Sequence, residues 1–219
     1  MTFEKFTAIT PELHRYAVEH SSFRDGFTPE IERAGEQMGD LAPMQIAGDQ
    51  AAFTTILVRA IGARRALEVG TFLGYGALAI ARGLPEEGRL ICCELDEGYA
   101  ERAHRHLERA GLGDRVEFRV GPALETLQAI DEEESFDFAF IDADKESYPA
   151  YFDECLRLVR RAGLILLDNV FAGGRILDAA EGRERDRIMA ELNDRLAADD
   201  RVEVAMLGFA DGITVALKN

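Results

Sequence analysis

Acidic and amide side chains follow two apolar, strand-like runs of this sequence. The run 138–141 leads into Asp142, and the run 164–167 leads into Asp168 and Asn169. If the two runs are neighbouring parallel strands, their carboxyl ends lie at one edge of the sheet and the three side chains converge there. Two carboxylates and an amide oxygen are hard ligands that suit Mg2+, Mn2+ or Ca2+ better than zinc, copper or iron. We therefore predict a divalent-cation site, with capping of the strand ends as the purely structural alternative.

A glycine-rich turn follows the first predicted strand. Gly70, Gly74 and Gly76 have the spacing G-x-x-x-G-x-G, which differs from the G-x-G-x-x-G of dinucleotide-binding proteins. Such a turn lets a ligand approach the backbone closely, although a tight structural turn has the same composition. Glu94 stands at the end of the next predicted strand, where a carboxylate can accept both hydroxyls of a ribose. Together the two features indicate a cofactor that contains a nucleoside.

A parallel sheet is the element that must position these residues. After residue 62, short β-rich runs alternate with helical stretches, which is typical of βα units around such a sheet. The predicted strands are 66–69, 90–94, 116–120, 136–141, 164–167, 202–207 and 213–217, and the helices between them are 77–82, 97–110, 123–130, 147–159 and 183–198. The last two strands are too close together for a parallel crossover of about a dozen residues, so they should pair antiparallel. We predict one α/β domain over the 219 residues, mostly parallel with one reversed strand and helices on both faces, with residues 1–62 as a helical extension packed on it.

Composition excludes several classes of function. Lys and Arg number 25 and Asp and Glu number 41, so the net charge of −16 would repel nucleic acid. No uncharged run approaches the roughly 18 apolar residues that a membrane span needs. Glu4 and Lys5 are charged residues near the N-terminus, and no apolar segment of a secretory signal follows them, so we expect a cytoplasmic protein. The three cysteines have neither metal-site nor disulfide-framework spacing and are predicted to be reduced thiols.

Six ordered motifs carry a family resemblance. Along the chain they are ALEVGTFLGYG, ICCELD, VGPALETL, FDFAFIDADK, GLILLDNV and DGITVAL. From about Met44 to the C-terminus the chain resembles the cation-dependent small-molecule O-methyltransferases, the group that contains catechol and caffeoyl-CoA O-methyltransferases. The resemblance implies a Rossmann-like class I methyltransferase fold with a seven-stranded sheet and S-adenosylmethionine (SAM) as cofactor. It also implies a homodimer, because relatives are often dimers.

The resemblance assigns a set of residues to the cofactor site. These residues are Met44, Glu68, Gly70, Thr71, Tyr75, Gly76, Glu94, Pro122, Ala123 and Asp142. Within the set, Glu94 would hold the ribose hydroxyls, Pro122 would lie along the adenine, and Met44 would border both cofactor and substrate. Gly76 is a departure, since the family usually has Ser there and uses its hydroxyl to bind the methionine carboxylate. Backbone N–H groups and a water would replace that hydroxyl here.

The resemblance also matches the residues that would carry out the reaction. Asp142, Asp168 and Asn169 match the metal ligands, with Mg2+ as the first choice, and Lys145 matches the general base, so that Lys145 and Asp142 are the predicted catalytic residues. A catechol has two adjacent oxygens that can chelate one cation, which lowers the pKa of the first hydroxyl from about 10 and orients it for attack on the sulfonium methyl. Lys145 follows Asp142 by three residues, so its amine can lie over the same site and accept the phenolic proton. A solvent-exposed lysine at a helix start is the structural alternative.

The prediction is therefore a SAM-dependent O-methyltransferase that acts on a small catechol-like phenol. A free phenol is favoured over a CoA thioester because a CoA tail adds negative charge to a strongly acidic protein, although Arg175 and nearby arginines can serve a tail locally. The acceptor preference is also left open by the loop after Asn169, where relatives often carry Trp and the nearest aromatic here is Phe171. A nicotinamide-dependent oxidoreductase would share the glycine turn and Glu94 but has no use for a cation triad. The other alternative is a sensor or scaffold that binds the cofactor without catalysis.

Overall fold

Seven strands form a single sheet in the computed structural model, which describes residues 7–22 and 27–219. The strands are β1 (Arg65–Val69), β2 (Arg89–Glu94), β3 (Val116–Val120), β4 (Phe136–Ile141), β5 (Val159–Asp168), β6 (Val202–Leu207) and β7 (Ile213–Lys218). Their spatial order is β3-β2-β1-β4-β5-β7-β6. Neighbours from β3 to β5 pair in parallel, whereas β7 is antiparallel to both β5 and β6. The predicted sheet with one reversed strand is confirmed.

Helices cover both faces of this sheet, as predicted. In chain order they are α1 (Pro11–Glu19), α2 (Thr28–Glu36), α3 (Gly48–Ala60), α4 (Tyr75–Gly83), α5 (Glu97–Arg109), α6 (Ala123–Gln128), α7 (Tyr148–Leu158) and α8 (Glu184–Ala197). Successive side chains of a strand point to opposite faces, and β4 shows the consequence. Phe138 and Phe140 are buried in the layer with α3, α4 and α5, whereas Ala139 and Ile141 are buried with α6, α7 and α8. The central strand is therefore apolar on both sides, and polar groups are left to its ends.

Strand β5 begins earlier than the sequence pattern indicates. The prediction was 164–167, whereas β5 starts at Val159 and pairs there with the start of β4 across a register shift. Arg160 and Arg161 interrupt the apolar run, so only the inner half of the strand has a recognisable pattern. The predicted helix over 147–159 accordingly ends at Leu158. The carboxyl end of β5, which carries the candidate site, lies where it was predicted to within one residue.

The helices before β1 pack on the sheet layer. The Thr55 hydroxyl of α3 donates to the Ala79 carbonyl of α4 at 2.8 Å. A Cβ added at Gly83 would lie 2.6 Å from the Cβ of Val58, so α3 and α4 are in close contact along their length. Ile31 of α2 is fully buried in the same layer. These contacts hold α2 and α3 against the layer that covers this face of the sheet.

Two of the expectations drawn from composition, on membrane spans and on the cysteines, can be compared with the structure. Among residues 7–22 and 27–219, no helix combines the length and the apolar character that crossing a membrane requires. Cys92, Cys93 and Cys155 are buried free thiols, as predicted. Glu4 and Lys5, on which the expectation about a secretory signal rests, lie outside the described residues.

Candidate functional site

Glu94, the last residue of β2, holds the turn that follows β1. Its Oε2 accepts the backbone N–H groups of Thr71 at 3.0 Å and Phe72 at 2.8 Å, and its Oε1 accepts that of Asp96 at 3.0 Å. The side chain is buried, and the three donors offset the cost of burying its charge. The shape of the turn is therefore set by the chain's own hydrogen bonds.

Gly70 brings this turn into contact with the end of β4. Its φ is +86°, and a Cβ added there would lie 2.1 Å from the carbonyl oxygen of Asp142, so only glycine fits. The backbone N–H of Asp142 donates to the Val69 carbonyl at 2.8 Å. The glycine turn and the acid after β4, which the sequence predicted to share one edge of the sheet, are thus in direct contact.

The predicted metal ligands lie at the adjacent ends of β4 and β5. Ile141 pairs with Leu167 in the parallel register, so Asp142 and Asp168 follow equivalent positions of neighbouring strands. Asp168 is buried, and burial together with the charge of Asp142 raises the pKa of its carboxyl. Its Oδ1 accepts the backbone N–H of Asn169 at 2.7 Å. The structure therefore brings the two carboxylates together, with the amide of Asn169 next in the chain.

Lys145 contacts this group, as the sequence predicted. Its Nζ donates to Oδ1 of Asp142 at 3.2 Å and to the hydroxyl of Tyr148 at 2.5 Å. The same hydroxyl lies 3.1 Å from the carbonyl oxygens of Ile141 and of Asp168. Tyr148 was not among the predicted site residues. Its position three residues after Lys145, at the start of a helix, was a local signal for it.

Gln50 of α3 is a second residue that the sequence analysis missed. Burial raises the pKa of the Asp168 carboxyl, and the neighbouring Gln50 amide lowers it. The Gln50 side chain is buried, and its Oε1 accepts the Ala47 N–H at 3.4 Å, but its Nε2 has no hydrogen-bond partner in the described part of the chain. Buried polar groups normally have partners, and the carboxyl of Asp168, whose pKa this amide lowers, is the acceptor beside it. Gln50 is distant from β5 in sequence, and no local pattern connects the two.

This donor set fits a hard divalent cation. Within residues 7–22 and 27–219, no three His, Cys, Asp or Glu side chains are grouped as metal ligands, so the candidate is the mixed set of Asp142, Asp168 and Asn169. Neighbouring carboxylates repel each other unless a proton or a cation compensates. Burial is the main cause of the raised pKa of Asp168, and the charge of Asp142 adds to it. An oxygen set of this size leaves coordination positions for water or substrate oxygens.

Glu68 lies behind the cofactor turn and explains the glycine at position 76. Its carboxyl is buried, and burial raises its pKa to about 8. The Cys92 thiol donates to Oε2 at 3.3 Å. A Cβ added at Gly76 would lie 2.4 Å from Oε1 of Glu68. A serine at this position, which the family resemblance implies, would therefore require Glu68 to move.

Tyr75 and Met44 connect the predicted cofactor site to the N-terminal helices. Tyr75 is buried at the start of α4, and its hydroxyl donates to Oε1 of Glu32 in α2 at 2.9 Å. Met44 ends a 3-10 helix, Gly39–Met44, and about half of its surface is exposed. Tyr75 thus connects the buried start of α4 to α2, whereas Met44 is accessible from solvent.

The predicted adenine turn lies beside Glu94. The N–H of Gly121 donates to the Glu94 carbonyl at 2.9 Å. Pro122 is the N-cap of α6, and Ala123 is its first residue and is buried. The carboxyl ends of β2 and β3 are joined in this way, so the predicted ribose and adenine positions are neighbours.

Comparison with known sequences gives the family. Residues 18–219 match the sequence profile of a family described as O-methyltransferase. Probable caffeoyl-CoA O-methyltransferase 1 of Dictyostelium discoideum is 32% identical over 207 residues, which cover 93% of this chain and 90% of the relative. Caffeoyl-CoA O-methyltransferase 2 of Zea mays is 40% identical over 183 residues, which cover 78% of this chain and 69% of the relative.

Solved structures agree with the sequence comparison. The O-methyltransferase from Bacillus cereus in complex with SAH has a TM-score of 0.87 at 34% identity, and the match covers 95% of this chain and 97% of that chain. An O-methyltransferase from Streptomyces achromogenes involved in tomaymycin synthesis, in complex with SAM, has a TM-score of 0.88 at 30% identity, with 95% and 96% covered. The predicted class I methyltransferase fold is confirmed. Since the family profile spans almost the whole described chain, this protein belongs to the O-methyltransferase family.

Proposed function

We propose that this protein transfers the methyl group of SAM to a hydroxyl of a catechol-like phenol, with a divalent cation bound at Asp142, Asp168 and Asn169. The observation that carries the proposal is the contact between Lys145 and Asp142 at 3.2 Å, beside the glycine turn and next to Asp168. Two relatives of known structure are in complex with SAH and SAM. Curated relatives are named as caffeoyl-CoA O-methyltransferases, and a caffeoyl group contains a 3,4-dihydroxyphenyl ring. Both facts support the proposed cofactor and acceptor class.

In the proposed cofactor site, Glu94 and the start of α4 bind opposite ends of SAM. Each carboxylate oxygen has two lone pairs, so Glu94, which already accepts three backbone N–H groups, keeps one position on Oε1 for a ribose hydroxyl. The first N–H groups of α4 have no partner within the helix and favour a negative charge. These donors would bind the methionine carboxylate, and no side-chain hydroxyl is needed at Gly76.

In the proposed reaction, the residues after β4 and β5 orient the acceptor and take its proton. A bound divalent cation would supply an electrophilic centre that lowers the pKa of a coordinated hydroxyl. Asp142, Asp168 and Asn169 would hold it, and the amide of Gln50 lies beside Asp168. Lys145 is the proposed general base, which accepts the proton that the hydroxyl loses as its oxygen takes up the methyl group. Substrate orientation and proton transfer are the chain's main contributions, since the sulfonium methyl is already electrophilic.

The acceptor of the methyl group can be a free catechol or a catechol joined to CoA as a thioester. The net charge of −16 favours a free catechol over a CoA thioester. The names of the curated relatives favour a CoA thioester. Both acceptors present the same catechol ring to the cation site, so we propose the ring as the recognised group and test the tail directly.

The test measures methyl transfer from labelled SAM to a panel of 3,4-dihydroxyphenyl compounds. The panel contains caffeic acid and its CoA thioester, each assayed with Mg2+ and with EDTA. We expect transfer that requires the metal, and faster transfer to the free acid if charge governs the choice. Undiminished transfer in EDTA would contradict the cation mechanism and leave the methyltransferase in place.

A second assay separates the alternative functions. An Asp142→Ala variant of a methyltransferase of this kind loses transfer, whereas a nicotinamide-dependent oxidoreductase would barely respond. SAM binding measured by calorimetry, combined with no transfer to any acceptor, would favour a sensor. Hydride transfer with a nicotinamide cofactor would favour the oxidoreductase.

A further inference from the structure

We propose that Tyr148 is a positioning residue that holds the amine of Lys145 in a fixed orientation at the site. The proposal rests on the proposed function, in which Lys145 accepts the phenolic proton. Tyr148 is the first residue of α7 and is completely buried. Its hydroxyl is within hydrogen-bond distance of Lys145 Nζ and of two backbone carbonyls.

The hydrogen-bond directions at this hydroxyl follow from its partners. A tyrosine hydroxyl has one hydrogen, and backbone carbonyls only accept. The carbonyl oxygens of Ile141 and Asp168 both lie 3.1 Å away, so the hydroxyl hydrogen is directed to them. Lys145 must then be the donor in its 2.5 Å contact with Tyr148.

This arrangement leaves one defined position on the nitrogen of Lys145. The nitrogen of a lysine side chain is tetrahedral and has three positions besides its bond to carbon. One N–H is directed to the Tyr148 hydroxyl and another position is directed to Oδ1 of Asp142. Within the described part of the chain, no further hydrogen bond to Nζ is present. The third position is therefore the one at which this nitrogen can exchange a proton with an acceptor molecule.

Tyr148 also ties this amine to the strands that carry the metal ligands. The two carbonyls that its hydroxyl contacts belong to the last residue of β4 and the last residue of β5. Lys145 Nζ lies 4.4 Å from the centroid of the same ring. A lysine side chain otherwise has large rotamer freedom, and the buried ring restricts it. The proton acceptor is thereby held relative to Asp142 and Asp168.

The chain offers a matched control on the same helix. Tyr151 lies three residues further along α7 and is also buried, and its hydroxyl donates to Oδ1 of Asp144 at 2.7 Å. Tyr148→Phe and Tyr151→Phe therefore each remove one buried hydroxyl from α7. Only the first removes a partner of Lys145.

The kinetic arm measures kcat, KM for SAM and SAM affinity for both variants with Mg2+. We expect Tyr148→Phe to lower kcat about 10- to 100-fold, less than the roughly 100- to 10,000-fold that a general base contributes, because Lys145 itself is kept. SAM affinity should stay within about twofold of the wild type. Tyr151→Phe should keep kcat within about twofold. In a Lys145→Met background, Tyr148→Phe should cause no further loss. An unchanged kcat in Tyr148→Phe, a parallel loss of SAM affinity, or a further loss in the Lys145→Met background would each overturn the proposal.

A second arm does not depend on activity. The sequence has three lysines, Lys5, Lys145 and Lys218, so the 13C signal of the Lys145 ε-carbon can be assigned by its absence in Lys145→Met. We expect relaxation measurements to show a restricted Lys145 ε-carbon in the wild type and in Tyr151→Phe, and a mobile one in Tyr148→Phe. Equal mobility in all three proteins overturns the positioning role. If the wild type methylates no catechol, the proposed function fails while this arm still decides the role of Tyr148.

Discussion

The carboxyl edge of the sheet has two halves, the ends of β1 and β2 and the ends of β4 and β5. Their acidic residues differ in the hydrogen bonds that they receive. At the ends of β1 and β2, the Glu94 carboxylate accepts three backbone N–H groups from the chain itself. At the ends of β4 and β5, Asp142 and Asp168 face each other, and Asp168 accepts a single backbone N–H, that of Asn169. Burial, and after it the charge of Asp142, raises the pKa of Asp168, while Lys145, which contacts Asp142, acts in the opposite direction.

This difference shows what each half needs from a ligand. A buried acid that backbone donors satisfy is a fixed part of the scaffold. Two close carboxylates with few donors are destabilised by their mutual repulsion, and a cation between them removes that cost. The turn that would bind the cofactor is thus shaped by the chain, whereas the pair of aspartates would be completed by the proposed cation. Four substitutions test this contrast.

Asp168→Asn should have the largest effect on activity. Loss of a cation ligand removes several kcal/mol of stabilisation from the transition state, so methyl transfer should fall at least ~10³-fold. The free energy of unfolding in EDTA should not fall, because the neutral amide removes the repulsion with Asp142. Rates at saturating Mg2+ and urea unfolding in EDTA measure the two quantities. A variant that is clearly less stable than the wild type in EDTA would contradict the proposed contrast.

Glu68→Gln should change the pH dependence of stability. The carboxyl of Glu68 has a pKa raised to about 8 in the folded protein, against an ordinary value of 4.5. Between these values the unfolded chain releases the proton and the folded chain keeps it, so stability falls as pH rises, by up to about 1.4 kcal/mol per pH unit. The contribution is complete below the ordinary value and is lost by about pH 8. The variant has no titrating carboxyl at position 68, so the difference in unfolding free energy between the two proteins should change steadily from pH 5 to 8. A constant difference is the contrary result.

Glu94→Ala should destabilise the protein and weaken SAM binding together. Three backbone N–H groups lose their acceptor, which costs about 2 kcal/mol of unfolding free energy. Chemical unfolding and calorimetry with SAM measure the two effects. Glu97→Ala, at an exposed acid in the first turn of α5, is the control and should stay within about 0.5 kcal/mol of the wild type. Equal stability of the two variants would show that Glu94 does not hold the turn.

Gly76→Ser should have the smallest effect and should not strengthen SAM binding. The added side chain must displace Glu68, at a cost of about 1 kcal/mol. Thermal unfolding and SAM calorimetry measure both consequences. The Glu68→Ala variant provides space for the serine side chain. Adding Gly76→Ser to that variant should therefore lower the unfolding free energy less than adding Gly76→Ser to the wild type. Tighter SAM binding without a stability loss would show that Glu68 moves freely.

Short-range patterns explain why much of the fold and of the site was predictable. The alternation of apolar strands with helical segments gave the strand ends of β1 to β4 to within one residue. Acids placed directly after those strands meet because carboxyl ends of parallel strands share an edge, and Lys145 meets Asp142 because three residues separate them. Charged residues hid the first half of β5, since Arg160 and Arg161 break the apolar pattern there.

The residues that were missed make their contacts through the folded structure. Gln50 reaches Asp168 from a helix that precedes β1, and nothing near either residue in the sequence connects them. The clash between Glu68 and a side chain at position 76 likewise depends on how α4 packs over β1. Tyr148 had a local signal in its spacing from Lys145, but its two carbonyl partners come from different strands.

By itself, the sequence determined the class of fold, the family and the chemical types gathered at the carboxyl edge of the sheet. These depend on periodicity, on short turns and on spacings of a few residues, all of which are local. The tertiary structure decided how each acid is compensated: Glu94 by backbone N–H groups, Glu68 by retaining its proton over most of the pH range, and Asp168 only in part. Burial and the number of donors set the energy of a carboxylate. Both quantities arise only when distant segments pack together.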